Sequence, residues 1–321
     1  MARNNIRTAR YQTFTTFPEA KAYIESLDYR VVVKASGLAA GKGVLIPNNT
    51  GEAVEAAKTI LHDKAFGSAG NELVVEEFLE GEEVSILAFC DGKIAKSMPP
   101  AQDHKRALDN DQGLNTGGMG AYAPSPLITP AQYNECAEIV QRSVIAMAAE
   151  GRPFIGVLYA GFIVTPKYGP VVLEYNCRFG DPETQVLLPL LKSDLYDVAN
   201  ACVQGTLDQV NVEWNDGYAC TVVLAAPGYP ESYPKGAAIS GLGQAGAIKS
   251  VKVFHAGAKV SGDHVATNGG RVLAVSGTGK SLKDAVDHAY HGVKQIHFEG
   301  AHYRKDIAKR FVHYLFHGFS L

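Results

Sequence analysis

The sequence predicts an α+β protein that carries a smaller α/β domain at its C-terminal end. Three observations predict this. The 321 residues are 46% hydrophobic and 20% charged, an ordinary globular composition with length for roughly two domains. Segments of strand and helix periodicity are interleaved along the chain as far as Gly205. Beyond Gly205 the composition shifts to short strands separated by glycine-rich turns, so the domain boundary is expected near residues 205 to 215.

Taken in order, apolar residues recur at helical spacing between Pro18 and Leu27, and Arg30 to Lys34 is a β-branched run that reads as a strand. Ser36-Gly-Leu-Ala-Ala-Gly-Lys-Gly43 follows, and the chain returns at once as Val44-Leu-Ile-Pro47, so this glycine-rich loop joins two strands. Thr50 is expected to cap a helix to about His62, a segment filled with the good helix formers Ala, Glu and Lys. Strands are expected over Glu72 to Glu77, Glu83 to Cys90 and Lys93 to Ser97, the last two joined by an Asp91-Gly92 hairpin turn. Pro99 to Pro126 has no clear period and is long enough to suggest function. Pro130 opens a helix to about Glu150, and Phe154 to Val164 and Pro170 to Tyr175 form a strand pair around Lys167-Tyr-Gly-Pro. Helical segments are expected over Glu183 to Leu191 and Asp194 to Val203. Strands at Cys220 to Ala225, Ile248 to Phe254 and Arg271 to Val275 follow, and a helix capped by Ser281 runs to about His297.

A net charge of −3 and a pI near 6.4 give no broad basic field, which disfavours nucleic acid as a partner and leaves small molecules. The five cysteines are scattered without a C-x-x-C pair, the pattern of reduced thiols in a cytoplasmic protein. No membrane segment is expected: the N-terminus lacks an apolar signal core, and Gly156 to Val164 falls short of the ~20 residues a membrane helix needs.

Gly37-Leu-Ala-Ala-Gly41-Lys42-Gly43 suits a phosphate, because glycines let backbone N–H groups approach an anion and Lys42 adds charge. It lacks the spacing, the Ser or Thr after the lysine and the following helix of a P-loop. A hairpin flap over a nucleotide and a plain solvated hairpin both remain open. Gly277-Thr-Gly-Lys-Ser281 ends like a P-loop, but its required first glycine falls on Ala274, so it reads as a turn with Ser281 as helix cap.

The strongest constellation is Glu174-Tyr175-Asn176-Cys177-Arg178. In an extended strand Glu174, Asn176 and Arg178 share one face. A carboxylate and an amide oxygen are the hard ligands Mg²⁺ takes from protein when nucleotide phosphates and water supply the rest. The planar fork of Arg178 suits an acyl phosphate or a substrate carboxylate. Glu76-Glu-Phe-Leu79 and Gly81-Glu-Glu83 read either as an adenine- and ribose-reading strand end or as an acidic surface turn. Asp103-His-Lys-Arg106 and Asn115-Thr-Gly-Gly-Met-Gly120 could bring cations and backbone N–H groups to phosphate, or be solvated. The pairs His288/His291 and His313/His317 have metal-capable spacing but no third ligand nearby.

In order, VVVKASGLAAGKGV, VVEEFLEGEEVS, PPAQDHKRALD, NTGGMGAYAPSP, LYAGFIV, VVLEYNCRFGDPETQ and ATNGGRVLAV resemble phosphoribosylamine–glycine ligase, the glycinamide ribonucleotide synthetase family, from about Asn5 to Arg310. The resemblance implies an ATP-grasp fold, with ATP clasped between two α+β lobes. It implies an ADP-forming ligation of glycine to 5-phosphoribosylamine through glycyl phosphate in de novo purine biosynthesis. It implies that Glu76, Glu77, Phe78 and Leu79 contact adenine, Glu83 the ribose, Arg106 and Asn115 the polyphosphate side, and Lys34 and Lys42 the phosphates. Glu174 and Asn176 would hold Mg²⁺ or Mn²⁺, and Arg178 and Asp181 would lie nearest the reacting groups. On this reading residues 1–205 are the ATP-grasp domain, with about 10–82 as its flap lobe, 206–312 the C-terminal domain and 313–321 an atypical aromatic tail.

The family's Rossmann-like N-terminal domain has no counterpart before Asn5, so the chain is expected to be part of a larger protein, such as a multifunctional purine-pathway chain. Leu114 stands where the family has proline. Two other readings stay open: a catalytically silent Mg-ATP-binding module, and another ATP-grasp ligase with a different acceptor.

Overall fold

The structure, a computed structural model, describes residues 1–37, 43–309 and 311. Packing divides the chain into one unit of Met1–Glu82 with Thr165–Leu173, and a second of Glu83–Val164 with the chain from Glu174 onward.

The first unit holds β1 (Tyr11–Phe14), α1 (Phe17–Ser26), β2 (Val31–Ala35), β3 (Val44–Leu45), α2 (Thr50–Leu61) and β4 (Leu73–Glu77). Its sheet runs β1-β4-β2-β3, antiparallel throughout. Strand alternation puts Val31, Val33, Leu73 and Val75 on one buried face, where Ala20 and Ile24 of α1 and Ala57 and Ile60 of α2 cover them. The cap of α2 is Asn49 and not Thr50: Asn49 keeps extended backbone and accepts a hydrogen bond from Glu52 N–H, while Thr50 is already helical. The returning segment is held by Thr8, whose hydroxyl donates to Val172 O at 2.8 Å.

The second unit begins with β5 (Glu82–Asp91, whose first residue belongs to the first unit) and β6 (Ala95–Ser97). Asp91 Oδ1 accepts from the N–H groups of Lys93 and Ile94 and closes their turn. The stretch expected to be aperiodic carries four short strands, β7 (Gln102–Asp103), β8 (Arg106–Leu108), β9 (Gln112–Asn115) and β10 (Gly120–Ala123), each too short to show a period. Then come α3 (Pro130–Ala149), capped by Thr129 and Gln132, and the strands β11 (Ile155–Thr165) and β12 (Gly169–Asn176). The helix expected over Glu183 to Leu191 is broken: α4 covers Thr184–Leu187 and a 3₁₀ turn spans Leu188–Leu190, where Pro189 supplies no N–H. After α5 (Leu195–Gln204) come β13 (Tyr218–Ala225), β14 (Ala238–Ile239), α6 (Leu242–Gly246), β15 (Val251–His255), β16 (Ala258–Ser261), β17 (His264–Thr267), β18 (Arg271–Gly279) and α7 (Leu282–Val293).

Strands from both sides of Gly205 share one sheet, β15-β18-β13-β10-β7, so the packing does not divide where the composition changes. A second sheet has the order β12-β11-β5-β6, β12 belonging to this unit from Glu174 onward. Gly277 and Gly279 are not a turn. They are strand residues opposite Cys220 and Tyr218, and a Cβ on either would lie 2.3 Å from Ala289 N or 2.5 Å from Asp284 Cβ of α7. They are glycine so that α7 can lie close on the sheet. Ser281 caps α7 as expected, but the helix stops at Val293, and His297 bridges to Ser240 instead. Phe311 packs its ring on Tyr122; the 313–321 tail, including His313 and His317, lies outside the described residues.

Candidate active site

In the first unit the strand β4 delivers Glu76, Glu77 and Phe78 to one end of the sheet, and each is held. Lys34 on β2 donates to Glu76 Oε2 at 2.6 Å. Arg10 donates twice to the Glu77 carboxylate, at 2.8 and 3.0 Å, and stacks its guanidinium 4.0 Å from the Tyr29 ring centre. The Arg10 hydrogen bonds hold the Glu77 carboxyl below its ordinary range. Arg30 covers the Phe78 ring at 4.1 Å and donates to Pro47 O. Phe78 N–H in turn donates to Arg30 O at 2.8 Å. Leu79 follows half-buried, while Lys42 lies outside the described residues.

In the second unit the end of β12 presents Glu174, exposed, and Asn176, half-buried. The strand stops at Asn176, so Arg178 lies beyond it, yet Arg178 Nη2 donates to Asn176 Oδ1 at 3.3 Å and Nη1 to Phe179 O at 2.8 Å. Alternation therefore pairs Glu174 and Asn176 only; beyond the bend at 177–178, Arg178 stays beside Asn176 through that hydrogen bond. Gly161 on β11 lies beside the Glu174 side chain, where a Cβ would make ordinary contact with Glu174 Cγ at 3.4 Å. Tyr175 points away, its hydroxyl sharing a 2.6 Å hydrogen bond with Ser143 of α3.

Around these residues sits a cluster of carboxylates with one ammonium in its midst. Glu83 forms an ion pair with Lys105. Desolvation lowers the affinity of Lys105 for its proton, but Asp103, Glu83 and Glu174 outweigh it and hold the ammonium above its ordinary range. Desolvation pushes the Asp103 carboxyl up to about 6, with Glu183 and Glu83 adding to it and Lys105 opposing. Glu183 is buried and accepts from Tyr159 Oη at 3.0 Å, while Ser85 Oγ lies 2.8 Å from Tyr159 Oη and 3.2 Å from the same carboxylate oxygen, with one proton to give to either.

Asp181 is bound on both oxygens, by Arg271 Nη2 at 2.9 Å and Gln185 Nε2 at 2.8 Å. Arg271 Nη1 donates as well to the carbonyls of Asp181 and Gly117, both at 2.8 Å. Gly117 N–H meets Tyr229 Oη at 2.9 Å, and a Cβ on Gly117 would sit 2.8 Å from Arg271 Cζ. The Asn115 to Gly120 segment is thus bolted to the D-P-E-T motif from β18. Arg106 and Asn115 face each other in the β8–β9 ribbon, with Arg106 Nη1 donating to Gly113 O at 2.9 Å.

Sequence reasoning missed Asp103, Tyr159 and Glu183 as a group, since they meet only in the folded chain. It passed over Arg271 although A-T-N-G-G-R-V was visible. Among the described residues no group of three or more His, Cys, Asp and Glu side chains could hold a metal ion, and no helix is long and apolar enough to cross a membrane.

The family model described as phosphoribosylglycinamide synthetase, ATP-grasp (A) domain, matches residues 1–184, and the C domain of the same synthetase matches 219–310. The bifunctional purine biosynthetic protein of Dictyostelium discoideum is 50% identical over 98% of this chain, which spans 42% of that protein. The phosphoribosylamine–glycine ligase of Synechocystis is also 50% identical, over 95% of this chain and 72% of its own length. The crystal structure of the phosphoribosylamine–glycine ligase from Thermotoga maritima superposes with a TM-score of 0.87 at 35% identity, covering 96% of this chain and 76% of that one.

Proposed function

The chain belongs to the phosphoribosylglycinamide synthetase family, and from that membership we propose that it joins glycine to 5-phosphoribosylamine at the expense of ATP, giving glycinamide ribonucleotide, ADP and phosphate in de novo purine biosynthesis. The observation that carries this reading is that Glu174 and Asn176 alternate at the end of β12 and Arg178 is hydrogen-bonded to Asn176. In this reading the family's ATP-grasp domain is residues 1–205 and its C-terminal domain 206–312. The protein works in the cytoplasm, alone or within a multifunctional chain such as the bifunctional relative.

A carboxylate resists attack by an amine until an oxygen is made a leaving group. The γ-phosphoryl group of ATP passes to a glycine carboxylate oxygen, giving glycyl phosphate and ADP. The amine of phosphoribosylamine then attacks the carbonyl carbon and phosphate departs. Both steps need alignment and charge neutralisation more than a side-chain nucleophile. Glu76, Glu77, Phe78 and Leu79 take the adenine, Glu83 the ribose, and Lys34, Lys42, Arg106 and Asn115 the polyphosphate. Arg178 grips the acyl phosphate. Asp181, already bound to Arg271, fixes the Asn115 to Gly120 segment through the same arginine. Glu174 and Asn176 offer two hard oxygens, a donor set suited to Mg²⁺ or Mn²⁺ that shares its remaining positions with phosphate and water. The metal supplies neutralisation of the polyphosphate when bound.

Glu174→Ala is expected to weaken Mg-ATP binding at least about tenfold, or 1.4 kcal/mol, by calorimetry. Equal affinity would remove the metal assignment. ADP release that requires both glycine and phosphoribosylamine tests the ligation itself. ATP binding without such release would leave a silent nucleotide-binding module.

A further inference from the structure

The β8–β9 ribbon (Arg106–Leu108 and Gln112–Asn115) has little to hold it from within. Two-stranded hairpins are marginal in water unless something packs against them. Here all four residues of β9 are exposed, and Leu108 and Leu114 show 49% and 52% of their surface. Its base is closed by Thr116, whose N–H and hydroxyl both meet Lys105 O. Its outer part is held by a segment nearly two hundred residues away.

That segment is His302 to Ala308, and Arg304 is its centre. Among the described residues Arg304 is the largest fully buried side chain, 1% exposed. Its guanidinium is bidentate on Asp306, with Nε to Oδ1 and Nη2 to Oδ2 both at 2.8 Å, and Nη1 reaches Asp111 Oδ1 at 2.8 Å and Arg106 O at 3.1 Å. Asp306, so oriented, accepts from Asn110 N–H at 2.8 Å. Lys305 N–H donates to Asp109 Oδ1 at 2.7 Å, and His302 Nε2 meets Ala107 O at 2.8 Å. Tyr290 of α7 supports the segment from behind, donating to Arg304 O and accepting from Ile307 N–H. A buried guanidinium is tolerated only with paired carboxylates and satisfied donors, and this one spends its donors on the ribbon and on the residue that also grips the ribbon.

We propose that Arg304 is a positioning residue that locks the β8–β9 ribbon and thereby aims Arg106 and Asn115 at the nucleotide's polyphosphate. The first half rests on geometry alone; the second rests on the ligase reading above. The charged fork matters more than its bulk, because a lysine offers one point of charge where three acceptors are spread around a plane.

The test uses the whole chain and the variants Arg304→Met, Arg304→Lys and Asp111→Asn. Asp111 is 63% exposed on its side chain, so its variant keeps the fold even if Arg304→Met does not. Hydrogen exchange read by mass spectrometry should show amides of 106–115 exchanging at least tenfold faster in Arg304→Met and severalfold faster in Asp111→Asn, with β13, β18 and α7 unchanged. In the same variants affinity for Mg-ATP should fall at least fivefold while affinity for adenosine stays within twofold, and Arg304→Lys should restore neither. Unchanged exchange in the ribbon of Asp111→Asn and any folded Arg304 variant would overturn the lock. Faster exchange with equal loss of adenosine and ATP affinity, or with none, would overturn the aiming. Failure of the unaltered chain to bind ATP would defeat the ligase reading and the aiming, leaving the lock to stand or fall on exchange alone.

Discussion

Arg271 and Asp181 are joined twice, side chain to side chain at 2.9 Å and side chain to carbonyl at 2.8 Å, while the same guanidinium takes Gly117 O. One arginine on β18 therefore sets the relative position of two loops that the sequence separates widely. Arg271→Met is expected to lower glycine-dependent ADP release at least about tenfold. Stability should fall by only about 1–2 kcal/mol, since the Asp181 partner is 46% exposed and charge-assisted hydrogen bonds at such sites are partly replaced by water. Paired kinetics and thermal melts decide it: loss of stability without loss of turnover would reduce Arg271 to a structural tie.

Asp103 gives the site a pH signature. Its carboxyl is raised from 3.8 to about 6 by desolvation first and then by Glu183 and Glu83. A raised carboxyl means that the folded chain binds the proton more tightly than the unfolded one. Its contribution is therefore fully present below about pH 4 and is lost as pH rises through about 6. Asp103→Asn keeps the shape without the titration, so the variant should gain on the parent by roughly 1–3 kcal/mol between those limits. Melting temperatures of the two proteins across that range should diverge as pH rises; parallel curves would count against the assignment.

Lys280 and Ser281 separate a look-alike from a nucleotide loop. Because Gly277 and Gly279 are paired strand residues pressed under α7, no loop is free there to cradle a phosphate. Lys280→Ala should leave ATP affinity unchanged in calorimetry. Ser281→Ala should cost about 1 kcal/mol of stability, through loss of the capping box with Asp284. A drop in ATP affinity in either variant would reopen the phosphate reading.

Legibility followed the range of the physics. Glu174 and Asn176 could be placed on one face because strand alternation is a local rule, and Ser281 could be named a cap because its partner is three residues away. Gly277 and Gly279 were misread, since a glycine that admits a helix and one that makes a turn look alike in sequence. Thr50 lost the cap to Asn49 by one residue, because Asn49 keeps extended backbone and its side chain reaches Glu52 N–H. Asp103 and Glu183 stood in readable motifs, but that they meet was not readable, and Arg304 carried no local signal; their partners arrive only on folding. The short strands β7 to β10 escaped notice because two to four residues do not make a period.

Cys177 offers a probe at the site's edge. It is the exposed cysteine, next to Asn176 and Arg178, whereas Cys90, Cys136, Cys202 and Cys220 are buried. Burial pushes the Cys90 and Cys136 thiols up to about 12, and those of Cys202 and Cys220 upward as well, so all four are protonated and shielded near neutral pH. A maleimide should therefore add once, at Cys177, with the other four reacting only as the chain opens. Cys177→Ser should abolish the fast addition and leave the slow ones untouched. Peptide mapping by mass spectrometry after a short exposure reads the outcome directly, and early modification of Cys202 or Cys90 would contradict the burial on which the argument stands.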